Sequence, residues 1–274
     1  MKDRVINMSN RVLISSTNNP QIKNLALLQK KAKARKEQGL FVVEGIKMLK
    51  EAMDAGLLNK IYMSESFYHD KPEASSIFKE YEYEIVTDSV LKQVSDTMTP
   101  QGIMGTVNMP TYDINRMLDK DDAFILLLED IRDPGNLGTI IRTAEGAGVT
   151  GIILNASCAD ILQPKVVRST MGSIYRVPFY EEADFIGALS WLRLEGFKLF
   201  AAHLSGISYD TEGSFLGRCG ILIGNEAAGL SWEAASLANN LIKIPMEGKV
   251  ESLNAAVASA ILMYEVARQR NIKI

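Results

Sequence analysis

Three segments of the chain join a short apolar run to a stretch of small and hydrogen-bonding residues. They are LEDIRDPGNLGTIIRTAEGAG (128–148), ILIGNEAAGLS (221–231) and IKIPMEGKVESLNAAVASA (242–260). The carboxyl ends of parallel strands meet at one edge of a sheet, where open α/β sheets bind ligands. We therefore expect the three segments to form one pocket. Its candidate reactive side chains are a guanidinium, a carboxylate, a hydroxyl and two carboxamides: Arg142, Glu226, Ser252, Asn136 and Asn254.

Each of these side chains also has a purely structural interpretation. Asn136 can cap a helix, and Arg142 can pair with Glu145 three residues later. Glu226 can be a surface carboxylate near a helix start, while Ser252 and Asn254 can cap the last helix. Two glycines of the second segment, Gly224 and Gly229, would allow a ligand close to the backbone.

The stretch GAGVTG (146–151) matches the dinucleotide-binding fingerprint G-x-G-x-x-G. That fingerprint must follow a strand and open a helix, with a carboxylate about 20 residues later. Here the glycines end a helix and lead into a strand, and no such carboxylate follows. Gly146 and Gly148 suit a left-handed helix end, and Gly151 a tight strand entry. The pattern argues against NAD binding.

Apolar periodicity predicts two α/β layers. In the first, strands near 40–45, 60–64, 83–86 and 101–109 enclose a helix over 46–56, and Thr87 or Asp88 caps another helix. The second alternates strands and helices, which predicts a parallel sheet covered on both faces. Its expected strands are 124–129, 151–154, 176–180, 198–202, 219–223 and 241–245. We expect domains over 1–109 and 123–274 joined by a linker at 110–122.

Charge is unevenly distributed along the chain. Residues 1–38 contain nine basic and two acidic residues, although the whole chain has a net charge of −3. The stretch 23–36 has six basic residues and no acidic one. It is either a solvated helix face or a surface for a phosphate backbone. Concentration at one end of an acidic chain favours the second interpretation.

Composition restricts the other function classes. No apolar run reaches membrane-spanning length and no leader peptide is recognisable, so we expect a cytoplasmic protein. Cys158 and Cys219 are not spaced as a redox or zinc motif, and we expect reduced core residues. Two histidines, His69 and His203, are too few for a histidine-rich zinc site. A G-x-S-x-G nucleophile elbow is absent from the sequence.

The three segments resemble the motifs of the SpoU (TrmH-type) branch of the SPOUT RNA methyltransferases. The matching patterns are N-L-G-x-x-x-R-T-A, G-x-E-x-x-G-L-S and I-P-M-x-G-x-x-x-S-L-N, in the same order. NNPQIKNLALLQ, FVVEGIKMLKEA and DTMTPQGIMGTV resemble the RNA substrate-binding domain that often precedes the catalytic one. The resemblance covers nearly the whole chain.

This resemblance implies a small N-terminal α/β RNA-binding domain and a C-terminal parallel-sheet SPOUT domain with a trefoil knot, which general topology rules would not suggest. It implies an obligate homodimer, and the last helix, expected over 253–270, is apolar enough to lie at its interface. It implies S-adenosylmethionine as cofactor, bound by Gly224, Ile244 and Leu253. The reactive site would comprise Asn136, Arg142, Glu226, Ser252 and Asn254, with no metal.

The implied reaction is methyl transfer to a ribose 2′-hydroxyl of RNA, with ribosomal RNA favoured over tRNA and no role for DNA or membranes. The family gives the arginine at position 142 a central role. A guanidinium with a pKa above about 12 is a poor base, and we favour a phosphate clamp. Glu226 would hold Arg142 or its own loop. Two rivals are a non-catalytic RNA-binding protein and a dinucleotide-dependent oxidoreductase.

Overall fold

The computed structural model describes residues 13–210 and 215–270. The first twelve residues of the basic segment 1–38 lie outside these ranges. Two compact units are present, each described separately. The first extends to Pro110 and includes Leu162–Pro164, and the second comprises Thr111–Ile161 with the chain from Lys165 onwards.

The first unit contains a four-stranded mixed sheet. Its strands are β1 (Leu40–Glu44), β2 (Leu58–Ser64), β3 (Glu82–Val86) and β4 (Ile103–Asn108), in the order β1-β4-β2-β3. β4 is antiparallel to β1 and β2, and β2 is parallel to β3. All four predicted strands are confirmed. The helices are α1 (Pro20–Lys30), α2 (Ala32–Gln38), α3 (Ile46–Asp54), α4 (Glu65–Asp70), α5 (Pro72–Ser76) and α6 (Asp88–Val94).

Local sequence explains where these helices begin. Asn19 caps α1 by accepting a 2.8 Å hydrogen bond from the Gln21 amide, with Pro20 in the first helical position. Thr87, not Asp88, caps α6, its hydroxyl accepting from the Val90 amide at 3.4 Å. The apolar face of α1 then packs against the sheet as part of one buried cluster.

The basic segment is divided by the fold. Lys23, Lys30 and Lys31 are exposed on α1 and the break between α1 and α2. Arg35 is instead buried, with 3% exposure, and its guanidinium donates to carbonyls near the end of α1, including Gln29 O at 3.0 Å. Because α1 ends there, those carbonyls lack helical partners, and Arg35 supplies the donor. Arg35 is therefore not a phosphate contact.

The second unit is built on a six-stranded parallel sheet. Its strands are β5 (Phe124–Leu128), β6 (Gly151–Asn155), β7 (Phe179–Glu182), β8 (Lys198–Ser208), β9 (Cys219–Ile223) and β10 (Asn240–Lys243), in the order β10-β8-β9-β5-β6-β7. Every neighbouring pair is parallel, which confirms the α/β class. β7, the third strand of this unit, begins three residues later than predicted, because a 3₁₀ turn over Ser173–Tyr175 precedes it.

Helices cover both faces of this sheet. They are α7 (Ile114–Leu118), α8 (Pro134–Gly146), α9 (Pro164–Thr170), α10 (Phe185–Leu194), α11 (Trp232–Ser236) and α12 (Ala255–Gln269). Ile125 and Leu127 of β5 join a core cluster with α7, α10 and α11. The Arg270 guanidinium, just after α12, lies 5.4 Å from the ring of Phe124, which points to the other face. α12 packs with α8 on that other face.

The GAGVTG stretch does end a helix and lead into a strand, as predicted. Gly146 is the last residue of α8 and not left-handed, so that part of the prediction was wrong. Gly148 is left-handed, with φ +75°, and Gly151 opens β6. A Cβ at Gly151 would meet Met117 Cε at 2.2 Å, so a larger residue there would require the Met117 side chain to move.

Candidate functional site

A cavity of about 480 Å³ lies at the carboxyl edge of β8, β9 and β10. Three segments line it: residues 202–205, 223–230 and 242–253, with part of α12 beneath. Gly224, Ile244 and Leu253, the three expected cofactor residues, all contribute to the lining. The structure therefore brings the second and third motif segments to one pocket.

The first motif segment reaches this pocket through a chain of side-chain hydrogen bonds. Asn136 Nδ2 donates to Glu226 Oε1 at 2.8 Å, and Asn254 Nδ2 donates to Asn136 Oδ1 at 2.9 Å. These residues are 90 and 118 positions apart in sequence. The Asn136 carboxamide thus uses its donor and its acceptor to join all three motifs.

The structure also separates helix capping from this network. Asp133, not Asn136, caps α8, its Oδ1 accepting from the Asn136 amide at 2.8 Å. Asn254 has two roles, because its Oδ1 caps α12 by accepting from the Ala256 and Val257 amides while its Nδ2 reaches Asn136. Ser252 lines the cavity, is exposed, and does not cap α12.

Arg142 lies apart from the Glu226–Asn136–Asn254 chain and does not line the cavity. It is exposed on α8, and its side chain forms no hydrogen bond or ion pair with the part of the chain that is described. Glu145 pairs with Arg176, so the expected local pair with Arg142 is not formed. Glu226 holds Asn136 and not Arg142. The guanidinium therefore remains available to a group outside the described chain.

Asn225 organises the loop around Glu226. Its Oδ1 accepts from the Ala227 and Ala228 amides at 2.9 and 3.0 Å, and its Nδ2 donates to Asp130 O at 2.9 Å. Two backbone hydrogen bonds between Asn225 and Gly229 close the loop. A Cβ at Gly224 would lie 2.3 Å from backbone atoms of Gly229 and Leu230, so only glycine fits there.

The Asp130 backbone that accepts from Asn225 is itself unusual, with φ +56°. Its carboxylate accepts from Asn155 Nδ2 at 2.8 Å and from Arg132 at 2.7 Å. The hydrogen bond from Asn155, and then the Arg132 guanidinium, hold the pKa of this carboxyl below its ordinary value. A left-handed non-glycine residue held this firmly is typical of a functional loop.

Glu129 fixes the end of the same loop. Its carboxylate is buried and accepts from the Ser231 amide at 2.7 Å and the Ser231 hydroxyl at 2.6 Å. Nearby, burial raises the pKa of the Cys158 thiol to about 11, so this cysteine is a neutral packing residue. Burial has the same effect on Cys219.

Sequence reasoning missed the wall formed by residues 202–205. β8 pairs with β10 up to Ala201 and resumes at Ile207, so the residues between leave the ladder. At Gly206 the chain returns close to β10, where a Cβ would meet Leu241 and Ile242 backbone atoms within 2.6 Å. The signal in the sequence was this glycine inside a strand pattern, which often marks a bulge.

The described residues contain neither a metal-binding cluster nor a membrane-spanning helix. Within residues 13–210 and 215–270, no three His, Cys, Asp or Glu side chains are grouped as metal ligands would be. No helix of those ranges has the length and apolar character needed to cross a bilayer.

Comparison with known proteins covers both units. The SpoU rRNA Methylase family matches residues 123–264, and the MRM3-like substrate binding domain matches residues 19–105. An uncharacterized tRNA/rRNA methyltransferase of Synechocystis is 33% identical over 94% of each chain. The 23S rRNA (guanosine(2553)-2′-O)-methyltransferase RlmP of Bacillus subtilis is 28% identical over 92% of this chain and 98% of its own.

Among solved structures, the SpoU methyltransferase AviRb of Streptomyces viridochromogenes in complex with AdoMet superposes with a TM-score of 0.84. It is 27% identical, over 93% of this chain and all of its own. The family match covers more than half of the sequence and includes all three motif segments. The chain belongs to the SpoU rRNA methylase family.

Proposed function

We propose that this protein transfers a methyl group from S-adenosylmethionine to a ribose 2′-hydroxyl of ribosomal RNA. The observation that carries the proposal is the Glu226–Asn136–Asn254 chain beside a cavity built from three loops. RlmP is named as a 23S rRNA 2′-O-methyltransferase and AviRb as a SpoU methyltransferase, and the name of RlmP favours rRNA over tRNA as the substrate.

The cavity fits the cofactor in size and lining. A volume of about 480 Å³ is in the range of small-molecule sites. Apolar side chains such as Ile223, Ile244 and Leu253 form much of the wall, and Glu226 and Glu251 lie among them as carboxylates suited to a sulfonium charge. When bound, the cofactor supplies the electrophilic methyl group. Close backbone at Gly224 would shape the site around it.

The side chains would position the ribose and receive hydrogen bonds from it. Glu226 Oε1 is occupied by Asn136, and the second carboxylate oxygen can accept from the 2′-hydroxyl. Ser252, at the cavity wall, can hold the same hydroxyl. These residues would hold the hydroxyl oxygen in line with the methyl group. As the O–C bond forms, the methyl C–S bond would break to release S-adenosylhomocysteine, and the hydroxyl proton would pass to a nearby acceptor or water. Holding two reactants in line can lower a reaction barrier by about 7–11 kcal/mol.

Arg142 would clamp a phosphate of the substrate. The Arg142 guanidinium is exposed, and a guanidinium is a planar cation whose paired donors fit a phosphate. This role agrees with the lack of a polar partner for its side chain in the described chain.

We also propose a homodimer formed through α12 and a trefoil knot in the second unit. Val257 and Tyr264 of α12 are 48% and 37% exposed, which is unusual for apolar side chains of a largely buried helix.

After edge strand β10 the chain crosses back to pack α12 on α8, and this return supports the knot. Sedimentation velocity tests the dimer, and an experimental structure tracing residues 198–270 tests the knot. We also propose that the protein acts in the cytoplasm, and the free thiols of Cys158 and Cys219 agree with that compartment.

In the first unit, exposed lysines of α1 and α2 would contact the RNA backbone. Replacing Lys30, Lys31 and Lys33 by glutamine should weaken RNA binding and reduce the log–log salt slope by roughly 0.7 to 0.9 per lost contact. Arg35→Gln is excluded from the set because Arg35 is buried. An unchanged slope would leave these lysines as a solvated surface.

The decisive experiment for the activity uses purified protein, labelled S-adenosylmethionine and unmodified transcripts of large-subunit rRNA and of tRNA. We expect label in rRNA, located at one ribose by mapping 2′-O-methylation. Asn136→Ala should abolish transfer while the protein stays folded. Label in the base instead of the ribose, or in tRNA alone, would contradict the proposal.

A further inference from the structure

Trp232 is the most exposed aromatic residue close to the candidate site. It is 81% exposed, although tryptophan is usually highly buried. It is the first residue of α11 and follows the G-x-E-x-x-G-L-S segment directly. Only Ser231 separates it from Leu230, which lines the cavity, so the Cα atoms of Leu230 and Trp232 lie within about 7 Å of each other.

The backbone beneath this side chain is held firmly. Ser231 donates twice to the buried Glu129 carboxylate, and its hydroxyl caps α11 by accepting from the Ala234 amide at 3.1 Å. Ala234 and Ala235 are buried against the core cluster of α10 and the sheet. The indole is therefore presented to solvent from a rigid base, which lowers the entropy lost when something binds to it.

The position of α11 argues against the dimer as the partner of this side chain. α11 packs with α10 on the sheet face that includes Ile125 and Leu127, whereas α12 lies on the opposite face. A dimer through α12 would leave Trp232 open. Ala227 and Ala228, in the loop just before it, are also exposed and have side chains too small to cover an indole.

We propose that Trp232 is a stacking platform for an unpaired nucleobase of the RNA, next to the nucleotide whose ribose occupies the site. This inference rests on the proposed function. Proteins read single-stranded RNA by stacking splayed bases on exposed aromatic rings, and any base has a face suited to this. The substrate class is then a looped or single-stranded segment, and not a continuous duplex.

Trp191 provides a matched control within the same unit. It is the other of the two tryptophans in the sequence and is 39% exposed. It lies in a separate cavity of about 240 Å³ beside Glu182 and Asp184, whose charges would repel a phosphate backbone. RNA should therefore contact one tryptophan and not the other.

The first measurement is fluorescence titration with unmodified large-subunit rRNA transcript. Trp191→Phe leaves Trp232 as the only tryptophan, and a base stacked on it should quench the emission. Trp232→Phe leaves Trp191, whose emission should change little. Quenching confined to Trp191, or none in either variant, would overturn the stacking proposal. This readout requires binding but no methyl transfer, so it is informative even if the proposed reaction is wrong.

The second measurement separates stacking from simple apolar contact. Trp232→Ala should raise the KM for RNA about ten-fold or more, with kcat and the Kd for S-adenosylhomocysteine nearly unchanged. Trp232→Tyr should recover most of the loss and Trp232→Leu little of it. Equal KM values for wild type and Trp232→Ala, or full recovery by leucine, would contradict stacking. A lower sedimentation coefficient in Trp232→Ala would instead assign the residue to an interface between copies.

Discussion

Two loops form most of the candidate cavity, and they are held in very different ways. In the loop over 224–231, Asn225, Glu129 and Asp130 together place the backbone through side-chain and main-chain hydrogen bonds. In the described chain, the loop over 244–253 forms no hydrogen bond until Asn254 caps α12. Both loops line the same pocket.

The difference distinguishes residues that hold the site in shape from residues whose side chains are available to a ligand. Asn225 and Glu129 already hold backbone groups of the loop, so their loss should disturb the fold around the cavity. Ser252 and Arg142 have none in the described protein, so their loss should disturb binding or reaction alone. Low local constraint is common in segments that close on ligands.

The largest effect should come from filling the close approach at Gly224. In Gly224→Val, the new Cβ would lie 2.3 Å from backbone atoms of Gly229 and Leu230, so the loop would have to shift. We expect this variant to lose S-adenosylhomocysteine binding, measured by calorimetry. Gly248→Val is the matched control in the other loop, because nothing lies within 4 Å of its Cβ position. Comparable losses in both variants would show that the second loop is as constrained as the first.

Arg142 gives the next largest effect and tests a residue without a partner. Arg142→Ala should reduce single-turnover methyl transfer by roughly 100-fold, a loss typical of one positioned transition-state contact. Cofactor binding and stability should stay near wild type, because the side chain is exposed and has no polar partner in the described chain. Arg142→Lys keeps the charge but not the paired donors and should retain part of the rate.

The pH profile distinguishes a clamp from a base at this position. A clamp stays charged, so the wild-type rate between about pH 6 and 10 should show no limb that is lost specifically in Arg142→Lys. A limb that disappears or moves in the lysine variant would assign Arg142 as the base.

A reciprocal pair of substitutions sharpens the comparison between the loops. Asn225→Ala removes three hydrogen bonds and should lower the free energy of unfolding by about 1–3 kcal/mol, measured in urea. Ser252→Ala should leave that free energy within about 0.5 kcal/mol and reduce kcat by roughly ten-fold. If Ser252→Ala lowered the free energy of unfolding and Asn225→Ala did not, our assignment of Asn225 as structural and Ser252 as reactive would be wrong.

Much of this arrangement could be predicted from the sequence, because strands and motif segments have local signals. All ten strands of the described residues were expected, and the carboxyl ends of adjacent parallel strands correctly placed the second and third motif segments at one pocket, whereas the first segment does not line it. The excursion at 202–205 was not expected, since a bulge depends on how far β10 extends beside β8. Nor could the sequence show that Asn136 bridges two loops, because hydrogen bonds across 90 and 118 residues depend on the tertiary fold.

The smallest effect concerns the charge under the constrained loop. Hydrogen bonds from Asn155 and Arg132 lower the pKa of Asp130 in the folded protein, so the unfolded chain binds this proton more tightly. The resulting stability is present above the unfolded pKa of about 3.9 and is lost as the pH falls through the folded value.

Asp130→Asn removes the titration, and asparagine tolerates the left-handed backbone at φ +56°. The difference in unfolding free energy between wild type and this variant should therefore shrink between about pH 6 and pH 3. Asn155→Ala should flatten the same pH dependence, because the largest cause of the lowered pKa is then gone. A difference that stays constant across this range would mean that Asp130 holds the loop by geometry alone and that its charge contributes nothing.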